Sequence, residues 1–217
     1  FARARSLLTE LIEYHRTRKE PYRTAFPLYL LALTLFLSRG DLTESRTLVE
    51  ESHALFREVG NKRLMAYNLS LLGQTLLMEG QEDRKARSLL EESIAIMKAV
   101  KDRAGTAEAL IALARLAAFQ GENEFARTCY AESWLLLRTS TEKGLSATCL
   151  EGWGEVLVAL GTSRLAVQLW ATAATVRAAI LAPMPPIYRA AYVRAVALAR
   201  KQLGEETFQA AWSEGRN

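Results

Sequence analysis

Residues 66–80 read AYNLSLLGQTLLMEG, residues 107–121 read AEALIALARLAAFQG, and residues 147–161 read ATCLEGWGEVLVALG. Each block opens on a small residue (Ala66, Ala107, Ala147) and closes on a glycine. Seven residues before that glycine stands another small residue: Gly73, Ala114 or Gly154. Just before it is an apolar anchor: Leu72, Leu113 or Trp153. Small residues at a fixed place in a helical pattern let neighbouring helices approach closely. The closing glycines Gly80, Gly121 and Gly161 follow Gly40 at intervals of 40, 41 and 40 residues. A period of this length, with two amphipathic segments inside it, marks a helical repeat array.

The columns continue beyond each glycine. Ser45-Arg46, Ala86-Arg87 and Ala126-Arg127 correspond, as do Glu50-Glu51-Ser52, Glu91-Glu92-Ser93 and Ala131-Glu132-Ser133. Around Gly161 the pattern weakens to Ala166, Leu169, Trp170 and Ala173. Sustained period-two alternation is absent, so no strand is expected. Helices are predicted near 3–18, 25–38, 43–59, 62–78, 83–99, 103–119, 124–138, 145–160, 163–181, 187–203 and 205–213. Breaks are expected at Gly60-Asn61, Gly80-Gln81, Gly121-Glu122 and Gly161-Thr162, where glycine takes the left-handed conformation that ends a helix. Short connections make successive helices antiparallel neighbours. A single hairpin cannot bury its apolar face, so the hairpins must stack. The expected fold is all-α: a right-handed α-α superhelix, a solenoid of about five helical hairpins with a C-terminal cap.

In that scheme residues 1–217 form one domain. An N-terminal hairpin occupies 1–40, three core periods 41–161, and the last hairpin and cap 162–217. The prolines at 183, 185 and 186 force an irregular turn. Gly204 then breaks a helix, and Phe208 and Trp212 fold a short last helix over the exposed edge. The chain begins at Phe1, and a fragment of a larger protein is expected.

Half of the 217 residues are hydrophobic and 24% are charged, which suffices for a substantial core. No apolar run approaches the roughly 18 residues of a membrane span. Cys129 and Cys149 form no disulfide framework. Cys129 falls in the column of Leu48, Leu89 and Leu169, as a buried thiol would. His15 and His53 have no ligand-spaced companions, no phosphate-binding glycine loop occurs, and adjacent pairs such as Glu50-Glu51 point apart on a helix. No catalytic residue, cofactor site or metal site is expected. Residues 1–40 carry seven basic and three acidic side chains, residues 41–161 fourteen and eighteen, and residues 162–217 seven and three. The basic end at Arg16, Arg18, Lys19 and Arg23 could meet a nucleic acid or an acidic neighbouring domain, or be an ordinary solvated helix end. No helix-turn-helix or stacked aromatic array points to direct nucleic-acid binding.

The Leu72-Gly73 pair, Gly80, Ala86 and the small residues of the following helix resemble tetratricopeptide repeats, although the unit exceeds 34 residues and lacks the usual closing proline. Units of forty residues with this composition look like the C-terminal repeats of large bacterial signalling ATPases and of LuxR- or AfsR-type transcriptional regulators. The tail is similar to theirs at Ala173-Ala174, Arg177, Pro185-Pro186, Tyr192, Ala199-Arg200, Leu203-Gly204-Glu205-Glu206, Phe208, Ala211-Trp212 and Glu214-Gly215. The resemblance implies a cytoplasmic interaction or sensor module without catalysis. Its partner would be a protein or peptide segment, or the parent's own N-terminal ATPase region. A structural scaffold or homo-oligomerisation surface with no separate ligand is the alternative.

In such arrays the first helices of successive hairpins line a groove. Positions one, four and eight after the opening alanines are expected there, exposed: Tyr67, Ser70 and Gln74; Glu108, Ile111 and Arg115; Thr148, Glu151 and Glu155.

Overall fold

A computed structural model describes residues 1–80 and 82–216; Gln81, the polar residue expected after the second repeat glycine, lies outside them. Among the described residues there are eleven helices and no strand. They are α1 (Ala2–Thr17), α2 (Pro21–Leu37), α3 (Leu42–Glu58), α4 (Lys62–Glu79), α5 (Asp83–Ala99), α6 (Arg103–Phe119), α7 (Asn123–Leu137), α8 (Lys143–Ala159), α9 (Ser163–Ala179), α10 (Pro186–Leu203) and α11 (Glu205–Glu214).

The breaks follow local chemistry. Gly60, Gly80, Gly121 and Gly161 take φ of +68°, +69°, +81° and +77°, in the region that favours glycine. At the first repeat boundary the left-handed residue is Arg39, with φ +55°, and not Gly40. Asp41 and Asn61 cap α3 and α4 by accepting the amides of Glu44 and Leu64. The helix expected at 25–38 begins earlier, at Pro21. Proline's fixed φ suits the first helical position, where no amide donor is needed. Pro27 lies inside the same helix and is buried.

The chain divides into two compact units between Ala109 and Leu110, within α6. In the first unit α1 packs on α2, α2 on α3, α3 on α4 and α4 on α5. Ile12, Leu28, Leu31 and Leu35 form a core cluster that Leu8, Leu48 and Leu55 flank. Buried serines tie each second helix to the one before it. Ser52 donates to the Ala25 carbonyl at 2.8 Å and Ser93 to the Ala66 carbonyl at 2.7 Å. Gly73 sits at a close approach, as its column predicts: a Cβ there would lie 2.8 Å from Leu90 Cγ and 3.0 Å from the Ala86 carbonyl oxygen.

In the second unit α7 packs on α8 and α8 on α9, while α10 lies on both α8 and α9. Trp170 is the centre of its core, among Leu157, Val158, Val167, Phe208 and Ala211. Its indole Nε1 donates to the Glu151 carbonyl at 3.0 Å. Gly154 makes room for that ring, since a Cβ would fall 2.2 Å from Trp170 Nε1. The predicted cap is present. Helix α11 buries Phe208 and Ala211, Glu214 pairs with Arg164 and Gln168, and Thr172 donates to the Gly215 carbonyl at 2.8 Å. Cys129 and Cys149 are both buried free thiols, and burial pushes the Cys149 thiol up to about 12.

Candidate functional site

The nine expected groove residues separate by column. Those at position one, Tyr67, Glu108 and Thr148, are half-buried on α4, α6 and α8. Those at position four are sealed. Ser70, Ile111 and Glu151 are only 2%, 3% and 3% exposed, which corrects the expectation of exposure there. Ser70 receives the Gln74 amide one turn on, and Ile111 is apolar and so buries. Glu151 is held by a cation from α9. At position eight Gln74 is buried, and Arg115 and Glu155 are largely so.

In the first unit the geometry centres on Tyr67. Its hydroxyl donates to Asp102 Oδ2 at 3.1 Å, and Arg63 Nε donates to the same oxygen. Asp102 also caps α6, accepting the Gly105 amide at 2.9 Å. A cap carboxylate thereby fixes two side chains of α4. The Arg63 guanidinium lies 5.9 Å from the Tyr67 ring centre. Tyr67 and Tyr29 rings are 6.2 Å apart, and Phe26 stacks at 6.4 Å from Tyr29. Phe26 and Tyr22, on the same helix, remain 45% and 52% exposed. Burial, then the Glu108 and Asp102 carboxylates, pushes the Tyr67 phenol up to about 12, so it is a neutral donor at physiological pH. Asp102, Tyr22 and Phe26 were not among the expected site residues. Asp102 could have been found as an Asp three residues ahead of Gly105 at a helix start.

In the second unit Arg115, Thr148, Glu151 and Glu155 do come together, with Arg177 among them. Arg177 donates to both Glu151 oxygens at 3.0 and 2.9 Å, and to Thr148 Oγ1 at 2.8 Å. Glu151 is buried in this ion pair and Arg177 largely so. Arg177 was legible in principle: it falls forty residues after Leu137, in the column of Phe56, Met97 and Leu137, which are buried apolar residues. Arg115 lies flat on the Tyr188 ring, 3.8 Å from its centre. Burial works against the Arg115 cation, but Tyr130, Glu155, Tyr188 and Glu151 outweigh it and hold the guanidinium above its ordinary range. Burial raises the Glu155 carboxyl to about 7 against the pull of Arg115 and Arg194. Arg115 Nε and Nη2 and Glu155 Oε1 are buried without a hydrogen-bond partner.

The basic N-terminal region is mostly neutralised from within. Arg16 pairs with Glu51 at 2.7 Å and with Glu13 at 3.2 Å, and Glu20 faces both Arg18 and Arg23. Among the described residues no group of three His, Cys, Asp or Glu is placed to hold a metal, and no helix is long and apolar enough to cross a membrane.

Residues 23–99 match the tetratricopeptide repeat family. That segment spans α2 to α5, and tetratricopeptide repeats generally bind proteins or peptides. Two solved structures of nearly identical TPR-like repeats, assigned to a kinesin light chain of Podosopora anserina, are similar to the chain over 90% of its length. One is a point variant; each aligns at a TM-score of 0.61 and 19% identity, covering 94% of its own chain. At that identity the likeness concerns the fold, which is that of an all-α tetratricopeptide-like solenoid. No curated protein sequence matches the chain.

Proposed function

We propose that the chain is the interaction or sensor module of a cytoplasmic signalling or transcriptional regulator, and that it acts as one module over residues 1–217. It takes a protein or peptide segment, or the parent's own N-terminal ATPase region, on the first helices of its hairpins and does no chemistry. What supports this most is the relay of rings Phe26–Tyr29–Tyr67 ending on Arg63, inside the tetratricopeptide repeat segment. Exposed aromatics next to a fixed arginine are the composition that dominates binding energy at protein interfaces. Tyr67 and Glu108 supply the polar edge of this face, with Ser70 and Gln74 as its buried support. Arg115, Thr148, Glu151 and Glu155 belong to the corresponding face of the second unit.

The test is a photo-crosslinking amino acid in place of Phe26, irradiated in the source cell. A discrete product with another protein, or with the parent's N-terminal region, is expected. Adding Arg63→Glu should reduce it at least tenfold. Products that contain this chain alone, or capture indifferent to Arg63→Glu, would favour the scaffold or homo-oligomer and overturn the proposal.

A further inference from the structure

Helix α10 reaches two of the residues that the sequence assigns to the second unit's binding face, Arg115 and Glu155. Its first turn places Tyr188 on Arg115 of α6. One turn later Tyr192 meets Trp170 edge-on, with centres 5.3 Å apart. Two residues further, the charge of Arg194 works against the burial that raises the Glu155 carboxyl of α8. An aromatic pair one turn apart plus a cation is how an amphipathic helix docks into a groove. The helix meets this face as a ligand would.

The same helix is less buried than α8, although Ala199 belongs to the Trp170 cluster and Tyr192, Ala195, Val196 and Leu203 pack against it. Of its eighteen residues only Ile187, Tyr188 and Ala199 are buried, whereas α8 buries ten of seventeen. Val193 is 57% exposed. Both ends are joints. Residues 182–185 form an irregular segment that holds two prolines, and Gly204 takes φ +74° and ψ 162°, which only glycine adopts readily. Beyond that joint α11 is fastened to α9 through Glu214 and Gly215, and also meets α10, where Arg200 pairs with Glu205 and lies over the Phe208 ring. Beneath α10 the fit is incomplete. Arg115 keeps two buried donors without partners, Glu155 one acceptor, and Trp153, in the cluster that Tyr192 joins, its indole donor. Buried polar atoms left so are costly, and an occupant able to meet them would bind better.

We propose that α10 is a built-in occupant of the α6–α8 face, and that this face takes a partner's amphipathic helix once α10 swings out. The inference rests on the reading that first-helix faces bind partners. The fitting helix carries a tyrosine pair one turn apart, as α10 does, and adds a carboxylate or amide oxygen directed at Arg115. Because α10 stays tethered at both ends, it competes at high effective concentration and keeps the face closed to weak ligands.

The probe is a fluorescent synthetic peptide of residues 186–203, titrated into the full chain and into a Tyr188→Ala/Tyr192→Ala variant. The variant should bind it at least tenfold more tightly than the unaltered chain, and Arg115→Glu in the variant should abolish the gain. Equal binding to both overturns the proposal. Should the variant lose its helical circular dichroism, amide hydrogen exchange of the unaltered chain decides. Exchange in α10 at least tenfold faster than in α8 and α9 is expected, and equal protection overturns it. Neither measurement uses the native partner, so either can fail while the Phe26 crosslink stands.

Discussion

Glu155 carries a carboxyl at about 7, well above the roughly 4.3 of an unfolded chain. Between these values the folded form keeps a proton that the unfolded form has lost. Stability is therefore full below about pH 4.5, falls as the pH rises towards 7, and levels above it, by about 3–4 kcal/mol in all. Urea melts between pH 5.5 and 7.5 should show this decline, and Glu155→Gln should flatten it. An unchanged slope in Glu155→Gln would place the titration elsewhere. The Arg177–Glu151 pair makes a sharper case. Arg177→Ala leaves a buried carboxylate alone and should cost about 3–5 kcal/mol. Arg177→Met with Glu151→Leu should recover most of that loss, since Phe56, Met97 and Leu137 correspond to Arg177 and Ile111 to Glu151. Denaturant unfolding of the single and the double variant measures it. Residue types and positions here were plain in the sequence, but their environment was not. Whether Glu151 meets water depends on Arg177, twenty-six positions away.

At the scale of the helix, the sequence was most legible where backbone and packing impose the same demand. Gly73 and Gly154 announced close approaches because no side chain fits there. The glycines at 60, 80, 121 and 161 announced helix ends because of their positive φ. The early start of α2 was hidden: the expected helix began four residues late, without Pro21 as its first residue. The course of α10 was hidden too, since an irregular turn and a single glycine set its direction. Gly204→Ala should cost about 1–3 kcal/mol by straining that joint, and thermal melts would register it. Deleting residues 205–217 removes Phe208 and Trp212 from the Trp170 cluster. Each such side chain contributes about 1.5–3 kcal/mol when fully buried. The shortened chain should therefore melt earlier and bind a hydrophobic dye. An unchanged melt without dye binding would mean that α11 caps nothing.

Over the whole molecule, stability should behave as a sum of local terms, as in other repeat arrays. Gly73 contacts Leu90 and Ala86, Gly154 contacts Trp170, and the two share no neighbour. Replacing either with leucine should overpack its interface at a cost of about 1–3 kcal/mol. Together the losses should add within about 0.5 kcal/mol, and a large departure from the sum in chemical denaturation would contradict that independence. The arginine at position 177 bears on how such a chain can be lengthened. A copy of the 41-residue stretch that begins at α4 carries Leu90 and Ser93, which seat against α4, and Met97, which is buried. A copy of α8 and α9 would instead multiply a buried ion pair, which is useful once and destabilising wherever its geometry slips. The early period is a template that an engineer can duplicate; the last one is a full stop.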